Sequence, residues 1–449
     1  MTTEKIKYDD ISSLPDEYIP IIYEMTVSDK KIYAASPELA STLACPLFSM
    51  GYQAFLSDNK EKMQESLIKE IKGKKKIYLI VHPFETYIDD YDASLDNVSV
   101  EYFKLDSEPK IISRSFYKLW ELITMFDLIP TKGASFKSAH IAEAPGAFVQ
   151  ATMFYRDTFA KKNGDTKKDS YHLLSLNPTE DPTSIPEINS DLIKYYEHEK
   201  PQRLVVHKTV SPAASEASTT KDDGDLTNPK TIKIFSNELG GKVHFITADG
   251  GIVWKNKLVQ EQEAIQLIVS EIVTALKNLD VGGNFVCRIY ETFTTPMSKI
   301  LYVLSSAFEE MYIVKPLMSH ASSAEKYLVC KKYLGKTKIL DQFTIIHEAL
   351  FKNKTKYLIN AFPDLQLPQE FVEILVKNNI MTANKQFLYI NKIVEFIHSK
   401  NYFGDVYQDC RMQQIVSTGY WINTYYPNDG EFSKMSKLLT EIKKRAKKE

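Results

Sequence analysis

Lys118, Asp249, Arg288 and Glu325 are two cations and two carboxylates that lie far apart in the chain, each next to a distinctive short segment. Lys118 sits in Ser113-Arg114-Ser115-Phe116-Tyr117-Lys118-Leu119, and Asp249 in Thr247-Ala248-Asp249-Gly250-Gly251. Arg288 follows Gly282-Gly283-Asn284-Phe285-Val286, and Glu325 belongs to Ser322-Ser323-Ala324-Glu325-Lys326-Tyr327. A set of this kind suits the activation of a hydroxyl, which is a poor nucleophile until it is aligned and its proton drawn away. A lysine of depressed pKa, held by carboxylates and a second cation, is one way to do that near neutral pH. A fifth segment, Ala142-Glu143-Ala144-Pro145-Gly146-Ala147-Phe148, follows an apolar run and opens an amphipathic stretch to Phe159. It reads as a strand, a tight Pro-Gly turn and a helix start, a geometry that offers backbone donors to a cofactor. Each feature alone also fits an ordinary role. Lys118 can snorkel from an apolar helix, Asp249 can cap a turn, Glu325 can pair with Lys326, and a Pro-Gly turn can simply close a loop.

The elements that must position these residues follow from hydrophobic periodicity. Between Ala139 and Tyr333 short apolar runs alternate with helical ones, the signature of a mostly parallel sheet covered by helices. The strands expected are Ala139 to Ala142, Tyr171 to Ser175, Arg203 to Val206, Val243 to Ala248, Asn284 to Ile289, Met311 to Val314 and Tyr327 to Lys331. Apolar residues around Lys118 form a stripe from Ile111 to Leu128, and a helix from about Val259 to Leu279 is expected to stop at Gly282-Gly283. In such a sheet the binding crevice lies at the carboxyl ends of the strands, which puts Asp249 and Arg288 side by side. Residues 1 to 105 read as an α/β extension, with a helix over Asn59 to Ile71, a buried strand over Lys76 to His82 and an acidic turn around Asp89 to Asp92. The Ser/Thr/Ala-rich stretch Thr209 to Thr220 reads as a surface insertion, placed at about 207 to 228. From 336 to 449 the pattern is helical, with helices expected over Phe343 to Phe351, Gln369 to Lys377, Lys385 to Ser399, Met412 to Asn423 and Phe432 to Lys448. The basic run Lys443 to Lys448 fits a solvated tail better than a dedicated RNA contact.

The 449 residues are 43% hydrophobic and 25% charged, with a formal net charge of -2, as in an ordinary globular protein. That balance argues against non-specific coating of nucleic acid and leaves room for a local basic groove. Cys45, Cys287, Cys330 and Cys410 have no paired spacing, so neither a metal site nor a disulfide framework is expected, and Cys287 and Cys330 read as buried in strands. No apolar run is long enough for a bilayer, and Met-Thr-Thr-Glu-Lys lacks a signal-peptide core. An intracellular, cytoplasmic protein is the expectation, at a replication site or in the virion if the source is a virus.

The order of a cation, a Pro-Gly turn, Asp, a second cation and Glu resembles the Lys-Asp-Lys-Glu tetrad of the FtsJ-like ribose 2′-O-methyltransferases. The segments around Lys118, Gly282 to Val286, and Lys315-Pro316 with Ser322 to Tyr327 resemble that family's leading helix, catalytic strand and closing hairpin. Asp249-Gly250-Gly251 is most similar to the cap-methyltransferase branch and its relatives in large DNA viruses. The resemblance covers about Ile111 to Lys332. It implies a Rossmann-like methyltransferase sheet with helices on both faces, placed at 106 to 335 and carrying the N-terminal α/β extension and the C-terminal helical appendage. The catalytic residues it implies are Lys118, Asp249, Arg288 and Glu325. S-adenosyl-L-methionine would be held around Glu143, Ala144, Pro145, Gly146, Ala147 and Phe148, with Asp249 and with Asp225 in Gly224-Asp225-Leu226-Thr227, where a plain turn is nearly as good a reading. Ser175 or Asn177 would approach the cofactor ribose. RNA, in the form of capped mRNA or an internal ribose, would be the substrate, and the C-terminal helical region is a candidate surface for a protein partner. Three departures stand out: Ala147 replaces the family's second glycine, His320 replaces an arginine, and Arg288 replaces a lysine. Arginine can orient a hydroxyl but cannot accept its proton. A methyltransferase fold that has lost its chemistry and serves as an RNA-binding or scaffolding subunit is therefore the competing expectation. A nucleotide-dependent oxidoreductase is disfavoured, because no G-x-G-x-x-G follows the first strand.

Overall fold

The computed structural model describes residues 15–426 and 440, apart from 29, 48–49, 71–76, 86–110, 133–134, 161–165, 177–186, 200–201, 208–223, 253, 255 and 257–258. The expected acidic turn at Asp89, the insertion at Thr209 to Thr220, Asn177 and the tail from Phe432, apart from Thr440, lie outside the described residues. Ten strands are present among the described residues: β1 (Ile21–Glu24), β2 (Glu38–Ala40), β3 (Lys137–Ile141), β4 (Ser170–Leu174), β5 (Leu204–His207), β6 (Val243–Ala248), β7 (Leu279–Ile289), β8 (Phe308–Lys315), β9 (Lys326–Tyr333) and β10 (Tyr357–Asn360). Eight form one sheet in the order β1-β8-β9-β7-β6-β3-β4-β5, and β2 pairs with β10. From β5 to β7 neighbouring strands are parallel, whereas β9 runs antiparallel between β7 and β8, and β1 closes the edge antiparallel to β8.

After β3 the chain builds outward through β4 and β5, then returns to the other side of β3 with β6. The junction of β3 and β6 is thus a topological switch point, where the loops leaving adjacent strands diverge and open a crevice. The loop beginning at Ala142 and the loop beginning at Asp249 flank it.

Two apolar cores cover the two faces. One packs Ile268, Ile272 and Leu276 of helix Gln260–Asn278 with residues of helices Thr295–Ser305 and Thr337–Lys352. The other packs Phe116, Trp120 and Ile123 of helix Ser115–Phe126 with Phe148 and Tyr155 of helix Ala147–Phe159 and with Tyr420, Trp421 and Tyr425 of helix Asp405–Tyr425. Cys287 and Cys330 are free and buried in β7 and β9, as expected. Among the described residues no helix is long and apolar enough to cross a membrane, and no group of His, Cys, Asp and Glu is arranged to hold a metal.

Three expected elements differ. The apolar run at Lys76 to His82 forms a 3-10 helix over Ile77–Val81, because Ile80 and Val81 bury against Ile393, Phe396 and Ile397 of helix Gln369–His398 instead of joining a sheet. A short apolar run carries no periodicity that separates these outcomes. Helix Gln260–Asn278 ends four residues before Gly282, and the glycine pair lies inside β7. The two helices expected on either side of Asn378 and Asn379 are one helix, Gln369–His398. The asparagines do not break it, because they face inward with partners: Asn379 exchanges hydrogen bonds with Thr292, and Asn378 accepts from Lys326 at 3.2 Å.

Candidate active site

Lys118 and Glu121 lie one turn apart on helix Ser115–Phe126. Glu121 is fully buried, and its carboxylate accepts the backbone N–H groups of Leu317 and Met318, both at 2.8 Å, and the Trp421 indole N–H at 2.8 Å. This carboxylate fastens the loop between β8 and β9, the loop that carries Glu325, to the helix that carries Lys118. Lys315 secures its other end, donating to Ser323 O at 2.7 Å and Glu325 O at 3.0 Å.

With the frame held, the four expected side chains meet. Lys118 Nζ lies 2.7 Å from Glu325 Oε1, and Arg288 Nη1 lies 3.2 Å from Asp249 Oδ1 and 3.7 Å from Glu325 Oε2. Arg288 Nε and Nη2 also donate to Gly250 O at 3.1 and 2.7 Å, so its guanidinium is fixed in plane. The hydroxyl of Tyr327 donates to Asp249 Oδ1 at 3.3 Å, and that of Ser319 to Glu325 Oε1 at 2.9 Å. Asp249 immediately follows β6, Arg288 stands at the end of β7 and Glu325 immediately precedes β9, so the ladder register itself brings them together. The glycines of the Asp249 segment have a steric reason. A Cβ on Gly250 would stand 2.3 Å from Glu271 Oε1, and one on Gly251 would stand 2.9 Å from Arg288 Nη2.

Charge follows from this crowding. Burial pushes the Asp249 carboxyl up, opposed by Arg288 and then Lys118. Burial acts the same way on Glu325, but Lys118 and Arg288 outweigh it and hold that carboxyl well below the usual range. Arg288 is held well above its ordinary value: burial opposes its charge, and Asp249 and neighbouring groups more than offset that. At any physiological pH the guanidinium is an orienting cation and no base.

The turn after β3 departs from expectation in one respect. Glu143 Oε1 accepts Phe148 N at 2.7 Å and Val149 N at 2.9 Å, so these two donors at the helix start are satisfied from within and are not offered to a ligand. Ala144 N donates to Ser175 Oγ at 3.0 Å, which makes Ser175 a brace of the turn. Ala147 is the first residue of a regular helix and is 2% exposed, so its position does not demand a glycine angle. Gly146 does, at φ +110°. What the turn leaves open is Glu143 Oε2, a buried oxygen without a partner. Burial, with Asp249 adding to it, drives this carboxyl well above its usual range. Asp225 stands apart from the four charged residues. It accepts Thr227 N at 2.9 Å and Thr227 Oγ1 at 2.7 Å in a local turn, and the preceding Gly224 backbone lies against Ser175 O at the end of β4, beside the same crevice.

Two residues that matter here were not evident from the sequence: Glu121, which looked like one more helix residue, and Tyr327, which looked like a strand residue. An acidic residue inside an otherwise apolar stripe was the available signal for Glu121.

Residues 189–333 match the family described as FtsJ-like methyltransferase. Over 275 residues, 60% of this chain, the sequence is 27% identical to cap-specific mRNA (nucleoside-2'-O-)-methyltransferase 2 of Drosophila melanogaster, covering 37% of that protein. Over 231 residues, 50% of the chain, it is 30% identical to an uncharacterised protein of Acanthamoeba polyphaga mimivirus, covering 26% of it. It is 29% identical over 193 residues, 41% of the chain, to cap-specific mRNA (nucleoside-2'-O-)-methyltransferase 1 of Dictyostelium discoideum, covering 24% of it. The chain thus spans between 24% and 37% of the length of these relatives. The matched segment holds Asp249, Arg288 and Glu325, the residues that the register of β6, β7 and β9 brings to one point, and the chain carries an FtsJ-like methyltransferase domain.

Proposed function

We propose that this protein is an S-adenosyl-L-methionine-dependent methyltransferase acting on ribose 2′-hydroxyls of RNA, at cap-proximal nucleotides of mRNA, with 106–335 as the catalytic unit. The observation that carries the reading is the meeting of Lys118, Asp249, Arg288 and Glu325 beside the crevice at the β3/β6 switch point. The names of the two cap-specific relatives support the substrate.

The residues around the crevice fit the cofactor. Glu143 Oε2 is a buried carboxylate oxygen that lacks a partner, and a ligand bearing a positive charge would restore its ionised form. Glu143, Ala144 and Gly146 on one side, and Asp249 and Asp225 on others, would hold it. When bound, the cofactor supplies a methyl group on a sulfonium, open to in-line displacement by a hydroxyl oxygen.

The chain's own groups do the rest. Arg288, fixed by Asp249, Glu325 and Gly250 O, directs its charge at the acceptor oxygen and stabilises negative charge as the proton leaves. Lys118, held in place by Glu325 at 2.7 Å, is the residue assigned to the hydroxyl proton, because the guanidinium of Arg288 cannot take it. The substitution of arginine for lysine at 288 is compatible with this division, because only one of the two cations has to move a proton.

The test is a calorimetric titration of the full chain with S-adenosyl-L-methionine, followed by methyl transfer to capped and uncapped RNA. Binding together with transfer to the first nucleotides of the capped RNA supports the reading. Cofactor binding with no transfer to either RNA would favour the scaffolding alternative.

A further inference from the structure

A small, partly open pocket lies behind the loop that carries Glu325, bounded by His82, Arg114, Lys315, Ser319, His320 and Lys385 among others. It opens next to the catalytic groups. Ser319, in its wall, donates to Glu325 Oε1 at 2.9 Å, and Lys315 donates to Glu325 O at 3.0 Å. Arg114, the residue before helix Ser115–Phe126, precedes Lys118 by four residues, about 6 Å along the axis.

The pocket wall holds more basic than acidic residues, with Arg114, Lys315 and Lys385 against Glu17. Arg114 is neutralised by Glu85 and donates to Met318 O and Phe84 O. The two lysines are paired less closely: among the described residues Lys315 donates to the carbonyls of Ser323 and Glu325 and feels the Glu325 carboxylate, while Lys385, on helix Gln369–His398, has no ion pair and feels Glu17, Asp16 and Glu121 through space. Glu17 is the single acidic residue of the lining, and its Oε1 is taken by the Gln413 amide at 3.0 Å. The ring wall adds no charge at neutral pH. His320 stacks on His82 with centroids 4.8 Å apart, and burial, then Arg114, hold His320 down at about 4 against the pull of Glu85. Burial also lowers Lys385 to about 8 and Lys315 well below its ordinary value. At both amines burial outweighs the pull of these carboxylates, and an anion in the pocket would reverse that.

We propose that this cavity seats a phosphate of the RNA chain flanking the acceptor ribose, with the Lys385 ammonium as its principal ligand and Lys315 behind it. The inference rests on the reading of the site as an RNA ribose methyltransferase, since every acceptor ribose arrives with phosphates attached. It gives the C-terminal helix Gln369–His398 a part in substrate binding. The phosphate belongs either to an internal phosphodiester or to the bridging triphosphate of a capped 5′ end, groups with the same non-bridging oxygens.

The experiment measures RNA binding by fluorescence anisotropy, without cofactor, across a salt series, for the full-length wild type, Lys385→Ala and Lys385→Arg. The probes are three oligonucleotides of one sequence: capped, 5′-triphosphate and 5′-hydroxyl. Lys385→Ala should weaken binding by on the order of tenfold, the scale of one charge-assisted hydrogen bond. It should also reduce the slope of log affinity against log salt by about 0.7, the value for one lost phosphate contact on a single strand. Lys385→Arg should restore both. A loss on all three probes assigns the internal phosphodiester, and a loss confined to the capped and triphosphate probes assigns the bridging triphosphate. Unchanged affinity and slope on every probe would overturn the proposal, as would a loss that arginine does not restore, which would mark a packing effect. Because no methyl transfer enters the measurement, this result is independent of whether the protein proves to be an active methyltransferase.

Discussion

Truncating Arg288 to alanine tests the proposed division of labour most directly. The variant loses two hydrogen bonds to Gly250 O and the cation between Asp249 and Glu325. Glu325 keeps Lys118 at 2.7 Å, whereas Asp249 keeps the hydroxyls of Tyr327, at 3.3 Å, and Ser115. Burial already raises the Asp249 carboxyl, and Arg288 is the largest influence opposing it, so the alanine variant should carry an Asp249 carboxyl raised further. The transition state then loses the charge aimed at the acceptor oxygen. Removal of one such stabilising group costs about 2.7–4 kcal/mol, or roughly 100- to 1,000-fold in kcat. Arg288→Lys keeps the charge and gives up the planar fork onto Gly250 O, and its rate should stay within about tenfold of wild type, equivalent to about 1.4 kcal/mol. Because an amine can titrate where a guanidinium cannot, the lysine variant should gain pH dependence between about 6 and 9. The assay is methyl transfer to a capped oligonucleotide under saturating cofactor, with thermal unfolding to confirm the fold. A folded Arg288→Ala protein that transfers methyl groups at the wild-type rate would falsify the role given to this residue.

Asp249→Ala should lower methyl transfer by at least about 100-fold while shifting Tm little, because burial already disfavours its charge; near-normal turnover would show that the site lies elsewhere. Burial raises Glu121 to about 7, opposed by hydrogen bonds from Trp421, Met318 and Leu317, so its proton stabilises the fold fully below about 4.5 and that contribution fades as pH rises through 7. Roughly 3 kcal/mol should be lost over that window by wild type and not by Glu121→Gln, as read from urea midpoints at several pH values; parallel profiles would contradict the assignment. Gly146→Ala places a Cβ 2.9 Å from Leu192 Cδ2 at φ +110°, and should cost about 1–2 kcal/mol of stability through the strained angle. Leu192→Ala added to it should recover part of the contact but not the angle, and full recovery in a urea titration would show that strain is negligible.

What the sequence by itself determined is the set of local patterns. The strands from β3 to β9 read correctly because buried strands leave short apolar runs between turn residues, and helix Gln260–Asn278 read correctly because its buried face repeats with the helical period. The identities of Lys118, Asp249, Arg288 and Glu325 were legible because each lies beside a segment of unusual composition. Tertiary structure decided everything that depends on a partner distant in sequence. The run at Ile77–Val81 became a 3-10 helix because helix Gln369–His398 offered it an apolar surface and no strand edge, and Asn378 and Asn379 stayed helical because Lys326 and Thr292 satisfied them. The carboxylate of Glu143 closed the two helix-end donors that the Pro-Gly turn seemed to offer, a choice made by side-chain reach and not by turn chemistry. Likewise, nothing local in Glu121 tells that it fastens the loop of Glu325 to the helix of Lys118, or in Lys385 that it enters a cavity beside them. Periodicity records which face of an element is buried, while hydrogen bonds and ion pairs between elements depend on how those faces are assembled in space.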